Sequence, residues 1–180
     1  MVNSGMKQSR KIIVTVCGGL FALAIAFYAV HHKPHHIQWA AHVDAQTLAD
    51  SWGTWNKNYR QEVKPTVNHT EFFDAVARGS YRDLSVEEFL RLPVENQRLN
   101  KYQYAKTPEE VYPLNDRPRD QQDIESVQFL MTTELPISPI CVAKVIDKDG
   151  QLRYIKLDGV HRLVAAMLTQ SMIRVFFIEL

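Results

Sequence analysis

The residues best suited to chemistry form a short polar group near the end of the chain, Asp158-Gly159-Val160-His161-Arg162. Strand-like residues 154–157 precede this group, and helix-like residues 163–168 follow it. Because glycine allows a sharp turn, the free N–H groups of the first helical turn would point outward beside an imidazole and a guanidinium. The spacing therefore predicts an anion site, and phosphate is the anion that it suits best.

A purely structural interpretation of the same residues stays open. A strand, a turn and a helix with one glycine and an incidental His-Arg pair form a common combination in proteins. The position of Arg162 favours the anion, because a cation in the first helical turn opposes the helix dipole. An anion in front of the helix would explain that placement, but the pattern defines no reaction.

Chain length and composition limit the classes of protein to consider. The 180 residues suffice for an anchor and one domain, or at most two small domains. The net charge of +1 gives no reason to expect a nucleic-acid partner. Cys17 and Cys141 provide neither a disulfide framework nor a zinc-binding spacing. The histidines at positions 31, 32, 35 and 36 could bind a metal, but a polar cap on an apolar helix explains them more simply.

The N-terminal region indicates a membrane protein. Residues 12–30 carry no charged side chain, and their 19 positions reach the lower end of the roughly 17–25 that cross a bilayer. A cleaved signal peptide fits less well, because the apolar run exceeds the usual core of about 7–15 residues. We therefore expect a single-pass N-terminal anchor behind a basic tail of residues 1–11. The acid-poor, basic start also suits the mitochondrial inner membrane.

Helical patterns fill the region that would connect the anchor to the C-terminal unit, residues 31–110. Residues 43–63 repeat apolar side chains every three or four positions, with Asp44 as a candidate cap. Residues 70–77 read as a second helix, and Ser85 opens a third with a capping box. The aromatic stripe of the first helix is more typical of a core or a partner interface than of a cofactor site.

From residue 111 the pattern changes to an α+β order. The predicted elements are a strand at 111–114, a helix at 123–133, a strand at 140–146 with a hairpin turn after it, and a closing strand at 172–178. With the strand and helix around Gly159, this order predicts a compact unit that occupies residues 111–180.

The C-terminal unit resembles the ParB/sulfiredoxin superfamily. The resemblance lies in the ordered set of Tyr112-Pro113-Leu114, Arg117-Pro118, a helix, Pro139-Ile140, the hairpin and D-G-V-H-R-L-V-A-A. The predicted fold class is α+β: the residue patterns give an N-terminal single transmembrane helix and a helical middle segment, and the resemblance implies a C-terminal mixed sheet with packed helices.

The superfamily holds nucleotide phosphates, and the resemblance assigns phosphate-binding roles here. His161 and Arg162, behind Gly159, would contact the phosphates. Arg117, Ser126 and Asp158 would assist, Asp158 as a metal ligand or base. No cofactor follows with certainty, and ATP or another nucleotide with Mg²⁺ is the candidate.

Departures from the superfamily pattern argue against its known chemistry. Val160 stands where sulfiredoxins carry their nucleophilic cysteine, and a hydrocarbon side chain cannot attack a substrate. Asp123 stands where sulfiredoxins carry a lysine, and a carboxylate repels phosphate. Leu130 replaces a threonine. The G-E-R-R box of the DNA-segregating ParB proteins is absent too, so we expect no DNA partner.

Two functions remain after these exclusions. The first is a non-catalytic accessory or interaction subunit of a membrane complex, with a degenerate phosphate site and other membrane-protein subunits as partners. The second is a nucleotide-binding enzyme, a phosphotransferase or nucleotide hydrolase, that uses the D-G-V-H-R residues.

Overall fold

The computed structural model describes residues 36–95, 104–112 and 118–180. Helix α1 (Ala45–Thr54) continues through a π-helical turn (Trp55–Tyr59) into α2 (Arg60–Val63). The other helices are α3 (His69–Ala77), α4 (Val86–Arg91), α5 (Pro108–Val111), α6 (Pro118–Thr132) and α7 (Val160–Leu168). The strands are β1 (Ser80–Leu84), β2 (Val94–Glu95), β3 (Ile140–Ile146), β4 (Leu152–Asp158) and β5 (Ile173–Glu179).

The strands form one mixed sheet in the order β1-β5-β3-β4-β2. β3 and β4 make an antiparallel hairpin, and β5 runs parallel to β3 in a register that pairs Ile140 with Val175. β1 pairs antiparallel with β5, whereas the two-residue β2 runs parallel to β4. β5 is thus an inner strand, although it comes last in the described sequence.

Side chains along β3 alternate between two hydrophobic cores. Ile140 and Val142 belong to a core that includes Val127 of α6 and Leu163 of α7. The residue between them, Cys141, belongs to the other core. Since successive strand residues point to opposite faces, each face of the sheet is covered by its own set of helices.

The second core explains the aromatic stripe of residues 43–63. Trp55 and Phe72 are fully buried there against Ala143 and Ile155 of the sheet. Burial of one such side chain contributes about 1.5–3 kcal/mol. The stripe is therefore part of this core, one of the two interpretations that the sequence favoured over a cofactor site.

Capping residues place three helices where the sequence predicted them. The side chain of Asp44 accepts a hydrogen bond from the N–H of Thr47 at the start of α1. Ser85 and Glu88 form the predicted capping box of α4, and Asn68 forms another with Glu71 at α3. Each cap satisfies N–H groups that have no partner within the helix.

The predicted fold class is wrong in how it divides the chain. The middle segment is not simply helical, because it contributes β1 and β2 to the same sheet as the C-terminal strands. Residues 36–180 belong to one compact unit. Nor does any helix of the described ranges have the length and apolarity to cross a membrane. The predicted helix at residues 12–30 lies outside those ranges.

A second correction concerns the predicted strand at residues 111–114. Val111 ends helix α5, whose first residue is Pro108 and whose cap is Thr107, and residues 113–117 lie outside the described ones. Proline at the first helical position and acidic residues in the first turn favour a helix here. The strand predicted at 140–146 is confirmed.

Candidate functional site

The turn between β4 and α7 requires glycine. Gly159 has a φ of 99°, in the left-handed region. A Cβ atom at this position would lie 3.1 Å from Cγ1 of Ile140 and 3.3 Å from its Cα atom. Both the backbone conformation and the close approach of Ile140 disfavour any side chain. The sharp turn predicted from the sequence is confirmed, and α7 starts without a side-chain cap.

The guanidinium of Arg162 lies in an internal network of protein acceptors. Its Nη1 donates to the carbonyl oxygens of Ser138 at 2.9 Å and Pro139 at 3.3 Å, and to Oγ1 of Thr47 at 3.2 Å. Its Nη2 donates to the carboxylate of Asp158, one helical turn earlier. Only 13% of the Arg162 side chain is exposed. The guanidinium thus ties together α1, the entry to β3 and the end of β4.

His161 faces a different element. Its Nε2 lies 3.0 Å from Oδ1 of Asp123 on α6, and its ring meets the ring of Tyr112 edge-on at 5.9 Å. About a third of the His161 side chain is exposed. A carboxylate that holds one ring nitrogen orients the imidazole, as in acid-base sites. The same carboxylate would repel a phosphate placed next to it.

The structure therefore places the predicted phosphate-binding residues in separate groups. Asp158 and Arg162 lie together, and His161 pairs with Asp123 instead. Ser126 is half-buried on α6, where its hydroxyl donates to the carbonyl of Gln122 on the same helix at 2.8 Å. Arg117 lies outside the described residues.

Two further titratable groups lie in or beside this part of the sheet. Burial lowers the pKa of Lys156 on β4, and the nearby Arg162 adds to the effect, whereas Asp158 opposes it. Burial raises the pKa of Cys141 to about 11 despite a hydrogen bond with Ser51. Cys141 is therefore an uncharged core residue at neutral pH and not a nucleophile.

Sequence reasoning missed the partners that decide the role of Arg162. Thr47 and Ser138 are 115 and 24 residues away along the chain, and no local pattern connects them to the motif. Nor does the sequence single out Lys156, because a polar residue between the two buried residues of β4, Ile155 and Leu157, is the ordinary pattern of a half-buried strand. Within the described ranges, no group of three or more His, Cys, Asp or Glu side chains could hold a metal ion.

Comparison with known proteins adds no information on the function of this site. No family model matches the chain, and neither the curated proteins nor the solved structures include a match.

Proposed function

We propose that the protein is a non-catalytic accessory or interaction subunit of a membrane complex, for which the mitochondrial inner membrane is the candidate location. In this proposal, the resemblance of residues 111–180 to the ParB/sulfiredoxin superfamily reflects a degenerate phosphate site, although Val111 ends a helix where that order has a strand. Membrane association is proposed from the uncharged run at residues 12–30. The observation that carries the loss of the phosphate site is the position of Arg162.

Both terminal nitrogens of the Arg162 guanidinium already donate to acceptors within the protein. It donates to one carboxylate, one hydroxyl and two carbonyl oxygens, and it is largely buried. To bind a phosphate it would have to leave some of these partners, and hydrogen bonds to charged groups contribute about 1.5–3 kcal/mol each. Asp158 would then keep a partly buried negative charge without its cation. These costs favour a structural role for the motif.

One observation favours a nucleotide-binding enzyme as the second candidate. The Asp123–His161 pair joins α6 to the first turn of α7, whose Gly159 start resembles an anion-binding turn. Lys156, with its lowered pKa, is on the strand that leads into this turn. Such a set could orient an imidazole for proton transfer near a bound ligand.

A ligand titration distinguishes the two candidates. The full chain in mild detergent is heated with ATP, CTP or ADP, each with Mg²⁺, and its melting temperature is followed. A ligand at 100 times its Kd would add about 2.7 kcal/mol of stability. The accessory role predicts no shift with any of the three nucleotides. A shift that the variant His161→Ala abolishes would support the enzyme instead.

The accessory role itself is tested by native isolation. The protein, purified from its membrane in mild detergent, should elute with other membrane-protein subunits in stoichiometric amounts. Elution as a single free chain under conditions that preserve neighbouring membrane complexes would contradict the proposal.

A further inference from the structure

Lys156 lies near the carboxyl end of β4, among positions that belong to the core. Its neighbours along the strand are Ile155, which is fully buried, and Leu157, which is 3% exposed. Its partner across the ladder is Val142 of β3, also fully buried. Because opposite residues of an antiparallel pair share a face of the sheet, the Lys156 side chain lies on the face that α6 and α7 cover.

The positive charge of Lys156 lacks a direct counter-ion among the described residues. Within that part of the chain, the amine forms neither a hydrogen bond nor an ion pair. The carboxylate of Asp158 is two residues away, but Nη2 of Arg162 donates to it. On the helices that cover this face, Asp123 and His161 bind each other. A protonated amine at this position is therefore only partly compensated.

A second lysine of the same sheet has the opposite arrangement. Nζ of Lys144 on β3 lies 2.8 Å from Oε1 of Glu179 on β5, and the pair is open to solvent. The hydrogen bond and the charge of Glu179 raise the pKa of Lys144. Burial instead lowers the pKa of Lys156, because less water is available to solvate the ammonium form. The two lysines should therefore differ in how much free amine they carry at neutral pH.

The amine of Lys156 is also within reach of a small molecule. The side chain is half-buried, and its Nζ is not one of the buried nitrogens and oxygens that lack a partner in the described residues, so solvent reaches it. An unprotonated lysine has a lone pair that the ammonium form lacks, and desolvated lysines are the ones that form imines with carbonyl compounds. A carbonyl group has no net charge, so the apolar neighbours that disfavour the ammonium form do not disfavour it.

We infer that Lys156 is a covalent binding site for carbonyl compounds, with aldehydes as the class of ligand. The lone pair of the amine forms a bond to the carbonyl carbon. The carbonyl oxygen takes up the two protons of the amine and leaves as water, so that a C=N double bond remains. Nothing is oxidised or reduced, and water reverses the reaction. The inference goes beyond the proposed accessory role, and it depends neither on that role nor on the membrane location.

The experiment labels the full chain in mild detergent with an aldehyde. Benzaldehyde and sodium cyanoborohydride are added at pH 7, so that each imine is reduced to a stable secondary amine, and peptide mass spectrometry locates the products. Lys156 should be labelled several-fold faster than Lys57 and Lys148, which are exposed, and Lys144 should be labelled most slowly. The advantage of Lys156 should shrink as the pH rises towards about 10.4, the ordinary pKa of lysine.

Matched variants test whether the label depends on the amine. Lys156→Arg keeps a positive charge and should lose the fast label, whereas Lys144→Arg should retain it. Glu179→Gln removes the counter-ion of Lys144 and should speed labelling at Lys144 but not at Lys156. Circular dichroism confirms that each protein is folded. If the folded wild type is labelled at Lys156 no faster than at the exposed lysines at pH 7, the inference is overturned, whatever the variants do.

Discussion

His161 and Arg162 are adjacent in the sequence, yet they belong to regions of different character. The Arg162 side is a largely buried network that joins α1, the entry to β3 and the end of β4. The His161 side is a partly exposed pair that joins α7 to α6. The comparison indicates that one half of the motif stabilises the fold, while the other half remains accessible to solvent. Four substitutions test this division.

Loss of Arg162 should have the largest effect. Arg162→Ala leaves Asp158 and two buried carbonyl groups without their donor, so we expect the free energy of unfolding to fall by about 2–4 kcal/mol. Chemical denaturation of the full chain in detergent measures this change in the free energy of unfolding. Arg162→Lys keeps the charge but not the planar fork, and should recover only part of the loss. If Arg162→Ala has the same denaturation midpoint as the wild type, Arg162 has no structural role.

Gly159→Ala should cause the second largest loss of stability. The φ of 99° and the 3.1 Å approach to Ile140 predict a loss of about 1–3 kcal/mol, because alanine adopts the left-handed conformation with strain. Thermal unfolding monitored by circular dichroism would record it. Gly150→Ala provides a matched control, since it also has a positive φ but has open space around its Cβ position. Equal effects at both glycines would mean that the contact with Ile140 contributes nothing.

Asp44 lies at the edge of the Arg162 network, and its removal should change how stability depends on pH. A hydrogen bond from the Thr47 backbone is the main cause that lowers the pKa of Asp44 below its ordinary value of 3.8. A lowered folded-state pKa means that the stabilisation is present above pH 3.8 and disappears as the pH falls through the folded-state pKa. Asp44→Ala should cost about 1 kcal/mol at neutral pH through loss of the cap.

Unfolding curves between pH 2 and pH 7 check this expectation. The difference between the wild type and Asp44→Ala should shrink towards low pH. Asp44→Asn, which keeps a capping oxygen, should lose less at neutral pH. A difference that stays constant over the whole range would show that the carboxylate charge has no part in the cap.

His161→Ala should have the smallest effect on stability. The hydrogen-bonded pair with Asp123 is partly exposed, and exposed polar pairs contribute about 0–1 kcal/mol. We therefore expect the melting temperature to change little, as measured by differential scanning calorimetry. Asp123→Ala, which removes the other partner of the pair, is the variant to compare with it. A loss as large as that of Arg162→Ala would erase the contrast between the two sides.

Local patterns predicted much of the fold. The strand at Ile140–Ile146, the capping box of Ser85 and the sharp turn at Gly159 are set by neighbours in the sequence, and all three are confirmed. β1 was missed because four of its five residues are not buried, so its sequence lacks the apolar signal of a core strand. It pairs with β5 about 90 residues later, and no local pattern carries that pairing.

The sequence likewise predicted only part of the candidate site. The turn could be predicted because glycine has a direct backbone consequence. The direction of the Arg162 side chain could not, because Thr47 and Ser138 come from distant parts of the chain. The assumption that neighbouring His and Arg side chains share one pocket fails on the first turn of a helix, where successive residues point about 100° apart.

The inner position of β5 has a consequence for biosynthesis. β1 leaves the ribosome about 90 residues before the strand that pairs with it. At roughly 5–20 residues per second, this delay amounts to several seconds or more. During that interval, β1 lacks the strand that joins it to β3 in the finished sheet. The backbone of β1 therefore gains its partner in the sheet only once Ile173–Glu179 have been made.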